Sequence, residues 1–359
     1  MSTKKTLVIL FGGVSSEHDA SKKSFEYVLS RLTQKKITAH FHDIQVAYIA
    51  RDGAVLFSNF VVGQTAAQYS RGAEKISRSE LLFRLTNPDI FAFSLLHGQH
   101  GEDGCVQGAA EFLEIAGSFG TVLSASLAMS KSHCNTFVSG LSSEATIPRS
   151  QVVQSEQEIV EAIAAWHPEE KIVIKPNSLG ASILTELHTV GKNDTKIAQL
   201  LKDILAFDSV ALMQEFIEGD EYSCGCLEEN GVVTALPVVK VITEQHFFGH
   251  SEKHTLGKNE ERIIAPENEN RVENKIRRLS EQLFRQVGVR HMARFDFRVT
   301  PEGKLYFLEI NPLPGMMENS LFPKMLRAAS KNIEDVILLS YKNQQSTGKK
   351  TIEFRYHID

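Results

Sequence analysis

Two stretches, TLVILFGG near the start and DIFAFSLLHG further on, are apolar almost throughout and run into glycine. A strand with one wet face alternates apolar and polar residues, whereas an unbroken apolar run is covered on both faces, as in a parallel sheet layered by helices. Between and after them lie helical patterns. In SFEYVLSRL, the residues Phe25, Val28, Leu29 and Leu32 follow the i, i+3, i+4, i+7 spacing of one helix face, and VQGAAEFLEIAG reads as a helix closed by Gly117. The first third therefore predicts an open α/β sheet of Rossmann-like layering. Ligand loops of such sheets gather at the strand C-termini, so FGGVSSEH and LLHGQHGEDG are expected on one edge.

After about residue 121 the pattern changes. KIVIKPN and VALMQEFI read as strands around the amphipathic KIAQLLKDIL, and EYSCGCLEENGVVTALPVVKV reads as a hairpin turning at Glu-Asn-Gly. The stretch TEQHFFGHSEKHTLGKNEERIIAP has no period and is expected to be a mobile loop, 243–265. NKIRRLSEQLFRQVGV then gives a helix ending at Gly288, and ARFDFRVTPEGKLYFLEINPL a second hairpin turning at Pro-Glu-Gly. With 359 residues, too many for one ordinary core, the chain divides into 1–121, 122–214 and 215–359. The fold class is mixed α/β.

A formal charge of −5 with no long basic run gives little support to a nucleic-acid or membrane-surface role and leaves small molecules as partners. No apolar run approaches a membrane span or has the form of a signal peptide. The four cysteines form no C-x-x-C pair or disulfide spacing, which fits a reducing cytoplasm.

The second hairpin carries the chemistry. Arg294 and Asp296 are two apart and share a strand face, as do Glu309 and Asn311 on the partner strand. Oxygen donors converging there suit Mg²⁺; a solvated edge is the plainer reading of the same alternation. IKPNSLGASI puts Lys175 at a strand end before a glycine turn, which fits a phosphate cradle and equally a hairpin turn, and Lys131 in SLAMSKSHCN fits either a phosphate ligand or a surface lysine. MQEFIEGDEY fits a backbone edge for a base with Glu221 for a ribose hydroxyl, although such a pattern in isolation is usually a plain strand and turn.

FGGVSSEHDAS, LLHGQHGEDGCVQG, SASLAMSK, IKPNSLGAS, ARFDFRVT and LEINPLPGMMENSLFPKM, in this order and across nearly the whole chain, resemble the D-alanine–D-alanine ligases of the ATP-grasp superfamily. The resemblance implies an N-terminal open-sheet domain followed by a two-part ATP-grasp domain, and a reaction with ATP, D-amino acids and two Mg²⁺, or Mn²⁺ in their stead. A first D-alanine carboxylate attacks the γ-phosphate to give an acyl phosphate and ADP, and a second D-alanine amine displaces phosphate. On this reading Asp296, Glu309 and Asn311 hold metal, and Lys131 and Lys175 bind phosphate. Gln214, Glu215, Phe216 and Ile217 line the adenine hinge, Glu221 binds ribose, and Lys253 and Phe307 also contact the nucleotide. Glu17 receives the first ammonium beside His97. Arg294, the Gly315 amide and Ser182 serve catalysis, and Ser320 and Leu321 clamp the second carboxylate. A homodimer is the family expectation.

The chain also departs from the family pattern. Ala181 precedes Ser182 where two serines are common, Lys253-His254 with His250 nearby stands where Lys-Tyr is usual, and Lys240 stands where an acid is frequent. Glu17 thus lacks two usual partners. Histidine in that loop and EHDASKKS resemble the branch that makes D-alanyl-D-lactate, while an exposed loop histidine is the plain alternative. His250 and His254 are accordingly acceptor-pocket candidates. A D-lactate or D-serine ligase, a specialised dipeptide ligase and a catalytically silent nucleotide binder are the competing functions. Retention of Arg294, Asp296, Glu309 and Asn311 argues against silence.

Overall fold

The computed structural model describes residues 4–71, 74–243, 259–264 and 270–346. The first of three sheets comprises β1 (Lys5–Gly12), β2 (Phe41–Ile49), β3 (Val55–Asn59), β4 (Glu74–Ile76) and β5 (Ile90–Ser94), in the order β4-β3-β2-β1-β5. β1 lies between β2 and β5, parallel to both. Its residues Leu7 to Phe11 are buried on both faces, which is why no alternation marks them. The strand's glycine end leads into helix α1 (His18–Leu29). The β1 and β5 exits share an edge: the Ser21 hydroxyl donates to the Leu95 carbonyl at 2.6 Å and accepts from the Gly12 amide at 2.8 Å.

The second sheet comprises β6 (Ser150–Val153), β7 (Lys171–Pro176), β8 (Glu186–Thr189) and β9 (Ala211–Glu215), in the order β6-β9-β7-β8. The third comprises β10 (Asp220–Glu229), β11 (Val232–Ala235), β12 (Val239–Thr243), β13 (Asn259–Ile263), β14 (Met292–Val299) and β15 (Leu305–Asn311). Its order is β13-β12-β10-β14-β15, with β11 also paired to β10. The β10–β11 turn sits at Asn230 and Gly231, both at positive φ (51° and 81°), the conformation that suits Asn-Gly in a tight hairpin. One apolar core joins the first sheet to helices Leu321–Ala328 and Ile333–Ser346, so the end of the described chain packs back onto its beginning.

Three expectations are corrected. The helix in VQGAAEFLEIAG spans Cys105–Phe112, and Glu114, at φ 58°, follows its end. Gly117 instead bridges Ala92, where an added Cβ would lie 2.7 Å from the Ala92 carbonyl oxygen and 2.4 Å from the Phe119 ring. The end of the expected loop is strand: Asn259–Ile263 pairs antiparallel with β12. Finally, the β14–β15 ladder contains a bulge. Asp296 faces Glu309 but Phe297 faces Phe307, so Leu308 is one residue too many on its strand. Residues 244–258 and 265, with His250, Lys253 and His254, lie outside the described residues. Among the described residues no helix is long and apolar enough to cross a membrane.

Candidate active site

One cavity of about 910 Å³ opens where the three sheets meet. Its floor is β14. Arg294, Asp296 and Arg298 share one strand face and all line the cavity. The sheet register gives each a neighbour. On β10, Gly225 faces Arg294, Ser223 faces Asp296 and Glu221 faces Arg298. On β15, Asn311 faces Arg294 and Glu309 faces Asp296. The Arg294 guanidinium grips Asp296, with Nη2 donating to Oδ2 at 2.8 Å and Nε to Oδ1 at 2.9 Å. The Ser223 hydroxyl donates to Oδ1 at 2.6 Å and the Asn311 amide to Oδ2 at 3.1 Å. Burial disfavours the arginine's charge, yet Asp296 and Glu309 outweigh it and raise its pKa.

The oxygens of Asp296, Glu309 and Asn311 are a hard donor set of the kind a divalent cation takes. Among the described residues no group of three His, Cys, Asp or Glu side chains forms a metal site, and the Asn311 amide is the further oxygen donor beside Asp296 and Glu309. Asp296 already accepts from Arg294, Ser223 and Asn311. A cation bound there would replace some of these donors, with Asn311 turning its carbonyl oxygen inward.

The bulge decides which residue of β15 lines the cavity beside Glu309. Simple alternation would put Phe307 on the same face as Glu309, but Phe307 is fully buried beside Phe297, their ring centroids 5.9 Å apart. Phe307 therefore does not reach the cavity, and Leu308 lines it instead.

Above this floor, Lys131 Nζ donates to the Leu179 carbonyl at 2.8 Å and lies 4.0 Å from Glu309 Oε2. Lys175 Nζ donates to Gln214 Oε1 at 2.8 Å, and Gln214 Nε2 to the Ser150 hydroxyl at 3.0 Å. Both lysines line the cavity with the hinge residues Gln214 to Ile217. The loop between β7 and β8 holds Ala181, Ser182 and Leu184 at φ 54°, 56° and 51°. Non-glycine residues seldom adopt this region, and clusters of them mark functional sites.

At the other end, Glu17 and His97 come together from the β1 and β5 exits. The Ser15 hydroxyl donates to the His97 carbonyl at 2.6 Å and accepts from the Glu17 amide at 3.2 Å. His97 Nδ1 lies 3.8 Å from Glu102 Oε2, which accepts from the Gly98 amide at 2.7 Å. Burial raises the pKa of Glu17 and Glu102 raises it further, against His97 and Lys131. For His97 burial opposes the charge, but Glu102 and Glu17 overcome it and raise the pKa. Gly180 touches Glu17 from the far loop: a Cβ there would sit 2.5 Å from Glu17 Oε1. The Ser24 hydroxyl lies 3.4 Å from His97 Nε2 and accepts from the Met316 amide at 3.3 Å, tying this end to the Pro-Gly loop. Gly315, Ser320 and Leu321 line the cavity there, and a Cβ on Gly315 would be 3.6 Å from the Ser320 hydroxyl.

A profile described as D-ala D-ala ligase N-terminus matches residues 6–118, and one described as D-ala D-ala ligase C-terminus matches 142–339. The chain belongs to the D-alanine–D-alanine ligase family. A D-alanine–D-alanine ligase A from Brucella suis is 30% identical over 355 residues, covering 94% of this chain and 96% of its own length. A D-alanine–D-alanine ligase from Azobacteroides pseudotrichonymphae is 26% identical over 340 residues, covering 93% and 98%. Among solved structures, the VanG D-Ala:D-Ser ligase from Enterococcus faecalis has TM-score 0.78 at 23% identity, covering 95% of this chain and 100% of its own. D-alanyl-alanine synthetase A from Vibrio cholerae has TM-score 0.75 at 23%, covering 96% and 99%. These similarities show the ATP-grasp fold of the ligase family.

Against the family pattern, Lys240 pairs with Asp220 at 2.6 Å and is not among the residues lining the cavity. Ser223, Glu102, Arg298 and Leu308 escaped the sequence reading. Ser223 and Arg298 have a legible signal, since each sits two residues from a candidate acid, Glu221 or Asp296, on the same strand face.

Proposed function

We propose that this chain is an ATP-dependent, ADP-forming ligase that joins two D-alanines through an acyl phosphate. The observation that carries the reading is the gathering of these groups in one cavity. The hinge residues, two lysines, the oxygen donors with Arg294, and the half-buried Glu17 with the Ser320 loop all line it. Lys131 and Lys175 supply point charges for phosphate oxygens. Glu17 takes the ammonium of the first D-alanine, orienting its carboxylate towards the γ-phosphate. Arg294 and the Gly315 amide face the oxyanion that forms when the second amine attacks, and Ser320 with the Leu321 amide holds the second carboxylate. A divalent cation, held by Asp296, Glu309 and Asn311 and present as two ions in the family pattern, would neutralise phosphate charge. The family membership and the full-length match to Brucella suis ligase A support the same substrates.

The test is ADP release from ATP with and without D-alanine, followed by mass analysis of products from a panel of D-alanine, D-serine, D-lactate and L-alanine. The expected result is D-alanine-dependent ADP and a product of two alanines less one water. ADP release indifferent to any amino acid would reject the reading, and a dominant D-serine or D-lactate product would reassign the acceptor.

A further inference from the structure

The cavity face of β14 carries two arginines, and the proposed chemistry uses only Arg294. Arg298, the other, is 6% exposed and yet lines the nucleotide end of the cavity. It is held from several sides. Its Nη2 donates to the Gly219 carbonyl at 3.0 Å, and its guanidinium carbon lies 4.9 Å from the centroid of the Phe216 ring in the base hinge. Across the strands it faces Glu221, which lines the same cavity. Close approach makes this possible: at Gly219, φ 143°, a Cβ would stand 2.0 Å from the Val299 carbonyl oxygen, so the segment linking hinge to β10 lies directly against β14.

We propose that Arg298 is a positioning residue for Glu221, and that the pair makes the nucleotide site demand both ribose hydroxyls. This rests on the function proposed above, in which Glu221 meets the ribose. An ionised carboxylate only accepts, and its two oxygens can take both hydroxyls of a vicinal diol if its plane is fixed. A guanidinium beside it on the sheet fixes that plane. The opposing strand and the hinge ring hold the guanidinium in turn. A carboxylate free to swing would meet one hydroxyl at a time. Arg298 thereby couples the sugar to the strand that presents Asp296 and Arg294.

The experiment is equilibrium binding of ATP, 2′-deoxy-ATP and 3′-deoxy-ATP by the full chain in Mg²⁺ buffer without amino acids. A hydrogen bond to a charged acceptor contributes about 1.5–3 kcal/mol, so the wild type should bind ATP roughly 10- to 100-fold tighter than either analogue. Arg298→Leu should weaken ATP most and bring the three affinities within about threefold of one another, with Arg298→Lys intermediate. In a Glu221→Gln background the Arg298→Leu change should add little, as expected when one residue acts through the other. A wild type indifferent to the missing hydroxyls, discrimination that survives Arg298→Leu, or effects that simply add in the double variant would each overturn the proposal. If circular dichroism finds Arg298→Leu unfolded, the cycle of Glu221→Gln with Arg298→Lys decides by the same criterion. Because no amino acid is present, absence of ligation would count against the proposed function alone.

Discussion

On the β14 floor of the cavity Asp296 is saturated: Arg294, Ser223 and Asn311 fill its two oxygens from three neighbouring strand positions. At the β1 and β5 exits Glu17 is half-buried against two glycines, Gly98 and Gly180, where a Cβ would come within 3.1 and 2.5 Å of its Oε1. Its pKa is raised by burial and by Glu102, with only His97 and Lys131 pulling the other way. The two acids differ because their partners differ in origin. A sheet supplies Asp296 with fixed donors through its register, so the group is complete without a ligand. Glu17 is left short of positive charge, the condition in which an incoming ammonium gains most.

The comparison can be broken hardest at the saturated end. Glu309→Gln should cost at least about 10³-fold in ligation, because charge stabilisation at the reacting phosphate is the largest contribution a site of this kind makes. Near-wild-type turnover with saturating Mg²⁺ and an intact circular dichroism spectrum would remove Glu309 from the chemistry. Next comes the unsaturated end. Glu17→Gln leaves the substrate ammonium buried without its partner, a loss of about 2–5 kcal/mol, or roughly 30-fold or more in KM for the first D-alanine. The KM for ATP should stay within about threefold, and an unchanged D-alanine KM would return Glu17 to a purely structural turn.

A subtler contrast is available at Gly180. Gly180→Ala drives a methyl group into the Glu17 carboxylate, and overpacking of this kind costs about 1–3 kcal/mol. D-alanine KM should rise about tenfold with little effect on ATP binding. If instead ATP binding suffers and D-alanine binding does not, the loop acts through the phosphates. The smallest effect concerns pH. Protonated His97 lowers the Glu17 pKa, so His97→Gln should raise it. Since the ionised form binds ammonium, kcat/KM for D-alanine falls as pH drops through that pKa, and its acid limb should move to higher pH in the variant. A limb that stays in place or moves down would show that His97 carries no charge in the working enzyme.

Much of this was legible because strands and glycines leave marks that survive in one dimension. The unbroken run Leu7 to Phe11 announces a doubly covered strand, and two-residue spacing puts Arg294 with Asp296 on one face. Proximity across sequence distance leaves no such mark. Gly180 touches Glu17 from a different sheet's loop, and Glu102 meets His97 only because its loop folds back. Phe307, which the family resemblance makes a nucleotide contact, lies in the core because a bulge puts it on the opposite face from Glu309, and nothing in the sequence marks that bulge. The strand Asn259–Ile263 reads as loop in the sequence because its charged residues mask an edge pairing visible only once β12 is beside it.

The extra residue at Leu308 has a consequence for how this sequence can drift over generations. With it, Glu309 faces Asp296 while Phe307 stays with Phe297 in the core. A codon lost at this position would straighten the ladder without changing either pair, because Asp296 and Phe297 already point to opposite faces and Glu309 and Phe307 would then alternate in step with them; what is lost is the Leu308 side chain on the cavity wall. Replacement at the position itself is a milder event, since another apolar side chain still lines the same wall. Descendants of this gene should therefore tolerate a gap at residue 308 as a change in the cavity wall and not as a loss of the acid pair, whereas a gap elsewhere in the strand would shift its register.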